Sequence, residues 1–155
     1  MNNKKTLGNA TLENVRLIYR NFTGKADRYN PTGKRTVSVL LDPEIAEKMI
    51  RDGWNVKFLK PREDDDAPQA HLPVEVSYRQ RPPRVVLITE RGQTNLTEET
   101  VGSLDHVTIR NVDLIINPYH WTMDGDTGVK AYLHAIYVTI EEDDLERKYA
   151  RDEED

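Results

Sequence analysis

The chain has 155 residues and a mass of 17.9 kDa, enough for one domain that buries its own core without staples. It contains no cysteine, which excludes disulfides and thiolate metal sites and suits a reducing cytosol. The formal net charge of −5 is segregated: residues 141–155 hold nine acids and three bases, whereas residues 1–41 hold eight bases and two acids. This places a basic front end and an acidic rear end on one small chain.

Residues 1–10 read as a loose arm. Lys4 and Lys5 are followed by no apolar run, so no signal peptide is expected, and no stretch has the length of a transmembrane helix. The sequons at Asn9, Asn21 and Asn95 therefore carry no expectation of glycosylation. Residues 11–20 alternate, with Val15, Leu17 and Tyr19 on one face and Arg16, Ile18 and Arg20 on the other, which predicts a first strand. Residues 21–33, NFTGKADRYNPTG, form a loop with two glycines and an Asn-Pro turn start. It carries Phe22, Lys25, Arg28 and Tyr29, and joins a second strand over residues 34–41 that begins with Lys34 and Arg35.

Asp42-Pro43-Glu44 starts a helix over Pro43–Asp52, with an N-cap acid, proline at the first helical position and an acid in the first turn. Ile45, Ala46, Met49 and Ile50 make its apolar stripe, Glu44 with Lys48 and Glu47 with Arg51 make i,i+4 pairs, and Gly53 ends it. Residues 54–59 alternate as a third strand, with Trp54, Val56 and Phe58 on one face and Asn55 and Lys57 on the other. Residues 60–70 read as an exposed acidic loop. Residues 72–78 and 84–89 read as strands around a turn that holds or adjoins Tyr78, Arg79, Gln80, Arg81 and Arg84. Thr97 caps a short helix through Leu104, with Leu96 and Val101 spaced as a hydrophobic staple.

The longest β-type stretch is last. Two runs, 107–116 and 129–140, rich in Val, Ile, Leu and Tyr, flank a polar, aromatic connection over residues 117–128. The expectation is a hairpin whose loop displays Tyr119, His120 and Trp121. The apolar positions change phase between Ile109 and Val112, which places a β-bulge near Arg110 and Asn111. Lys130, Tyr132 and His134 share a face of the last strand. The acidic residues 141–155 follow as a tail.

Enzymatic signatures are missing. There is no phosphate loop, no dinucleotide fingerprint and no His-Glu-x-x-His, and the four histidines do not fall at metal-ligand spacing. Asp124-Gly125-Asp126 lacks the downstream bidentate glutamate of a calcium loop. The chain is expected to be neither an enzyme nor a cofactor or metal protein. What it does carry is an interleaving of cations and rings, the chemistry that single strands require: cations for phosphates and flat faces for unpaired bases. The candidates are Arg20, Phe22, Lys25, Arg28, Tyr29, Lys34 and Arg35; Trp54 and Lys57; Tyr78, Arg79, Arg81 and Arg84; and Tyr119, Trp121, Lys130 and Tyr132. Any one ring is more often core than platform, Trp54 at the start of a strand is read equally as structural or functional, and at least one of Tyr119 and Trp121, after a proline in a polar loop, is read as functional.

Short strands with a helix or two suggest a small barrel, and OB-fold barrels bind oligonucleotides across strands 2 and 3 and with the loops between strands 1–2 and 4–5. Those two loops would be residues 21–33 and 117–128. In NFTGKADRYNPTGKR, GWNVKFLKPRE, RPPRVVLIT, TNLTEE, NVDLIINPYHW, GVKAYL and EEDDLERKYA, the chain resembles the OB-fold single-stranded DNA-binding proteins of tailed bacteriophages over most of residues 11–150. The resemblance implies a mostly β, five-stranded Greek-key barrel with extra strands, one or two short helices and an acidic C-terminal tail, the barrel occupying residues 11–140. It implies sequence-independent binding and protection of single-stranded DNA during phage replication or recombination, in the cytoplasm of an infected bacterium. It also makes phage replication or recombination proteins the candidate partners of the tail. Two departures stand out. The helix precedes the Trp54 strand instead of lying between strands 3 and 4, and the tail has no hydrophobic tip, so the tail is also read as a competitor of DNA for the basic groove. A β-rich protein-interaction or virion structural module and a single-stranded RNA binder are the alternative readings, since stacking uses the same rings for either nucleic acid.

Overall fold

The computed structural model describes residues 7–61, 63, 67–79 and 81–142. The first six residues of the expected arm, parts of the acidic loop, Gln80 and the tail beyond Glu142 lie outside the described residues. The chain forms β1 (Ala10–Val15), β2 (Leu17–Asn21), β3 (Arg35–Leu41), α1 (Pro43–Asp52), β4 (Lys57–Phe58), β5 (Ala70–Val76), β6 (Arg84–Thr89), β7 (Gly92–Leu96), a 3-10 helix (Val101–Asp105), β8 (Ile109–Met123) and β9 (Asp126–Ile140).

One mixed sheet contains all the strands, in the hydrogen-bonded order β1-β8-β9-β5-β3-β2, with β4 beside β5, β6 beside β9 and β7 beside β6. β5 and β6 run parallel to β9, and the other ladders are antiparallel. The sheet is not closed by a ladder, but its two ends are successive in the chain and separated only by Arg16, whose carbonyl accepts the Leu40 N–H at 2.9 Å. The single strand expected over residues 11–20 is therefore two. Asn14 and Tyr19 adopt φ of 53° and 54°, and the register shifts beside both. Each irregularity bends the chain, so one half reaches β8 and the other reaches β3. This bent strand with β3, β5, β8 and β9 supplies the five strands of a partly open OB-type barrel.

α1 begins at Pro43, ends at Asp52 and stops at Gly53, as its start and stop residues dictate, although the Asp42 side chain makes no capping bond. Only Ala46 and Met49 of its stripe are buried; Ile45 and Ile50 are exposed. The helix does lie between the second and third barrel strands. The place between β5 and β8 is taken by the β6–β7 hairpin and the 3-10 helix. β7 was not foreseen, because GQTNL has no apolar periodicity; it forms as the antiparallel partner of β6. The third strand expected over 54–59 reduces to Lys57–Phe58, and Trp54 instead makes a parallel bridge with Val129. β5 and β6, expected around a turn, do not pair with each other; both lie beside β9.

The last hairpin differs most. Residues 117–128 are not a loop: β8 and β9 pair from Ile109↔Ile140 to Met123↔Asp126 around the two-residue turn Asp124-Gly125. Both turn residues have positive φ, 51° and 86°, the conformation for which Asp-Gly is selected in tight hairpins. The bulge expected near Arg110 is present as a register shift between Ile109 and Asn111.

The core is one cluster lined by inward residues of every barrel strand, including Val37, Val39, Leu72, Val74, Leu114, Ile116, Leu133 and Ile136. Phe22, expected on a binding loop, belongs to it with 0% exposure. Its position is fixed by the chain just beyond β2: Asp105 at the end of the 3-10 helix accepts the Phe22 N–H at 2.7 Å and the Thr23 N–H at 3.0 Å. Phe22→Ala is therefore expected to cost stability on the scale of a buried aromatic truncation, about 3–5 kcal/mol, measured by denaturant unfolding. An unchanged unfolding midpoint would return Phe22 to the surface.

Candidate nucleic-acid interface

Residues 22–34 form a loop ordered by its own polar side chains. The Asn21 side-chain Oδ1 accepts the Gly24 and Lys25 N–H groups at 3.1 and 2.9 Å. Asn30 accepts the Lys34 N–H at 3.0 Å and donates to the Lys34 carbonyl at 2.8 Å. Asp27 accepts the Tyr29 and Asn30 N–H groups, each at 2.8 Å. The neck of the loop is a close crossing of Gly24 and Gly33, both at positive φ; a Cβ on Gly33 would stand 2.9 Å from the Gly24 carbonyl oxygen. Beyond this neck Lys25, Arg28 and Tyr29 are exposed, Tyr29 at 89%, with the Arg28 guanidinium 5.9 Å from the Tyr29 ring centre.

The outward side chains of the sheet form the second part. Thr36 lies opposite Glu75, which lies opposite Tyr132, which lies opposite Asn117; two residues along the strands, Tyr119 lies opposite Lys130. Glu75 is the meeting point. Its Oε1 accepts a 2.8 Å hydrogen bond from the Lys130 ammonium and stands 3.8 Å from the Lys34 ammonium. Burial opposes the charge on Lys130, but the hydrogen bond and charge of Glu75 outweigh it and hold the Lys130 pKa above its ordinary value. The same ammonium lies 5.1 Å from the Tyr132 ring centre, and the Tyr119 ring meets Tyr132 edge-on at 5.8 Å. The root of the 22–34 loop and the root of the last hairpin thus converge on one carboxylate. Farther out on the hairpin, Trp121 and Met123 continue the Tyr119 face by strand alternation. The Trp121 ring lies on Gly128, where a Cβ would come 2.6 Å from Cζ2.

The other end of this outer face holds Tyr19, His71 and Lys57. Lys57 is exposed and opposite His71, and Tyr19 meets the His71 ring edge-on at 6.1 Å. Neither Tyr19 nor His71 was a candidate from sequence. Tyr19 falls in the inward phase of its alternation and is turned outward by the irregularity at its own φ. Glu75 was also missed, since an acid at the centre of a cationic face has no signature in composition.

Several expected residues are buried or make contacts within the fold. Phe22 and Trp54 are core residues, the latter because residues 53–55 dock on the Val129 edge of β9. Arg20 donates from Nη1 to the Leu104 and Val107 carbonyls, both at 2.8 Å, and so ties β2 to the 3-10 helix. Arg35 lies 5.2 Å from the Tyr78 ring centre and 3.4 Å from Glu98, so this pair is engaged internally. Arg84 lies 6.0 Å from the Tyr137 ring centre, and Arg79 and Arg81 are exposed in the turn after β5. The cluster that the fold does assemble is Lys34, Lys130, Tyr132 and Tyr119 around Glu75, with Lys25, Arg28 and Tyr29 on the adjoining loop.

A family model described as "Putative phage ssDNA-binding domain" matches residues 1–154. No curated protein matches the sequence. Among solved structures, the single-stranded DNA-binding protein from bacteriophage Enc34 is similar at 14% identity and a TM-score of 0.56, over 88% of this chain and 83% of that one. The same protein in complex with ssDNA is similar at 15% identity and a TM-score of 0.57, over 88% of each chain. At these identities the likeness concerns the fold.

His71 gives this face a pH signature. Burial, and then the charge of Lys57, lowers its pKa below the ordinary 6.5. The unfolded chain therefore takes up the proton first as pH falls, so the stability held by neutral His71 is complete above 6.5 and is lost as pH drops from there through the lowered value. Thermal melts across that range should fall more steeply for the wild type than for His71→Phe; parallel profiles would remove His71 from the account.

Proposed function

Because this chain belongs to the family of phage single-stranded DNA-binding domains, we propose that it binds and protects single-stranded DNA through the outer face of β3, β5 and β9 and the two connections that flank it. The observation that supports this site is the convergence of Lys34 and Lys130 with the rings of Tyr132 and Tyr119 at the junction of the 22–34 loop and the last hairpin. Ammonium groups meet phosphates there while neighbouring ring faces meet bases, and neither contact needs a particular sequence. Lys25, Arg28 and Tyr29 extend the phosphate track along the loop, and Trp121 extends the ring surface along the hairpin. The activity is binding and not catalysis, and it serves phage DNA replication or recombination in the cytoplasm of the infected cell.

The proposal extends to the acidic tail. Residues 141–155 carry nine acids against three bases, and that charge competes with DNA for the cationic face; phage replication or recombination proteins are its candidate partners. Truncation after Glu142, which spares β9 and the Glu141 N–H bond to the Thr108 carbonyl, should tighten DNA binding most at low salt. Equal affinity of the truncated and full chains would end the competitive role.

The direct test is titration of a labelled oligo-dT at two salt concentrations. Affinity should fall as salt rises, because phosphate neutralisation releases counterions. Tyr119→Ala and Trp121→Ala should each cost about 1–3 kcal/mol of binding if each ring carries a base, with unfolding midpoints near the wild type. Absence of binding at low salt would overturn the function; full binding by both variants would move the site. Stronger competition by oligo-U than by oligo-dT would make RNA the ligand.

A further inference from the structure

Glu75 is an unusual residue to find at the centre of a face for polyanions. If it served only to hold Lys34 and Lys130, both of its oxygens would suit that task. Both ammonium contacts instead go to Oε1, at 2.8 and 3.8 Å, and among the described residues no hydrogen bond reaches Oε2. The side chain is 15% exposed, so the carboxylate is partly desolvated but reachable from solvent. Glu75 is the register partner of Tyr132 on β9 and lies on the outward side of the sheet. Tyr132 and Tyr119 meet at 84°, which makes a corner: a base stacked on one ring turns its edge towards the face of the other.

Resting on the reading that this face binds single-stranded DNA, we propose that Glu75 selects among bases. Its free carboxylate oxygen accepts a hydrogen bond from the exocyclic amino group of a base seated in the Tyr119–Tyr132 corner, so that cytosine is held better than thymine. Cytosine N4 is a donor suited to a carboxylate acceptor. Thymine has the same ring size, but presents O4 at that position, and its N3–H lies between two carbonyl oxygens that repel a carboxylate. The stacking contribution is similar for the two pyrimidines, so the difference between them falls on Glu75. Lys34 and Lys130 complete the device: their charges offset the repulsion between the carboxylate and the nearby phosphates. Binding remains tolerant of sequence, with a preference at the one nucleotide that occupies the corner.

The test compares oligo-dC and oligo-dT of equal length, titrated at one salt concentration against the wild type, Glu75→Ala and Glu75→Gln. The readout is the ratio of the two affinities in each protein, which cancels the general gain expected from removing a negative charge. The ratio in favour of dC should fall on the order of tenfold from wild type to Glu75→Ala, the size of one base-edge hydrogen bond. It should fall in Glu75→Gln as well, because the amide can turn its N–H to thymine O4. If removing Glu75 changes both affinities in parallel and leaves the ratio intact, the residue only spaces the two lysines and the inference is overturned. If the wild type binds neither oligomer at low salt, the functional reading itself has failed, a result distinct from an unchanged ratio.

Discussion

A β-strand has two hydrogen-bonding edges, and the way β9 divides its edges governs this molecule. One edge is occupied along its length by β8. The other is shared, in order, by the backbone at Trp54, by β5 at Ala131 and Tyr132, and by β6 from Ala135 to Thr139. The three neighbours all run parallel to β9 and follow one another along its edge. That arrangement is reached through α1, which carries the chain from β3 towards the Trp54 bridge, and through the exposed turn that joins β5 to β6. It also sets Glu75 beside Tyr132 and brings Lys130 within reach of a loop more than ninety residues earlier in the chain.

The cationic face that results is not a bare positive surface. Lys34 and Lys130 share Glu75, and Arg35 lies against Glu98. The more solvated pairs, Lys34 with Glu75 and Arg35 with Glu98, contribute little to folding, about 0–1 kcal/mol each. Their effect is on geometry, since they hold long side chains near one arrangement before a ligand arrives and so reduce the ordering cost of binding. It follows that the salt dependence of DNA binding should reflect fewer released ions than the count of cations suggests, because some of these cations already have a protein counter-charge.

Where local chemistry decides the structure, the sequence was legible. α1 runs between the residues that its proline and glycine specify, β6 starts at Arg84 and ends at Thr89 as its apolar run does, and the phase change near Arg110 marks a real bulge. The reading failed where tertiary pairing overrides local pattern. Residues 117–128 look polar and loop-like, yet all but the turn residues Asp124 and Gly125 are strand, because each of the others has a partner across that tight turn. GQTNL becomes β7 only because β6 offers an edge. Phe22 sits among loop residues but is drawn inward by Asp105, eighty-three positions away. For the site, the cations and rings on the connections were visible as a class, but which of them meet was not. Tyr19 is turned outward by its own backbone, and Glu75 acquires its place only from the register of three strands.

The crossing of Gly24 and Gly33 separates what the fold needs from what the loop displays. Asn21, Asn30, Asp105 and the glycine pair fasten the chain at the neck, and the side chains of residues 26–29 make no hydrogen bond or ion pair with the barrel strands among the described residues. Closing a loop whose ends are already joined grows only slowly more costly with length, about 0.6 kcal/mol per doubling. The tip, residues 26–29, is thus a replaceable cassette. Evolution or a protein engineer can lengthen it, recharge it or exchange it for another recognition loop, while the barrel registers only where the chain leaves and returns.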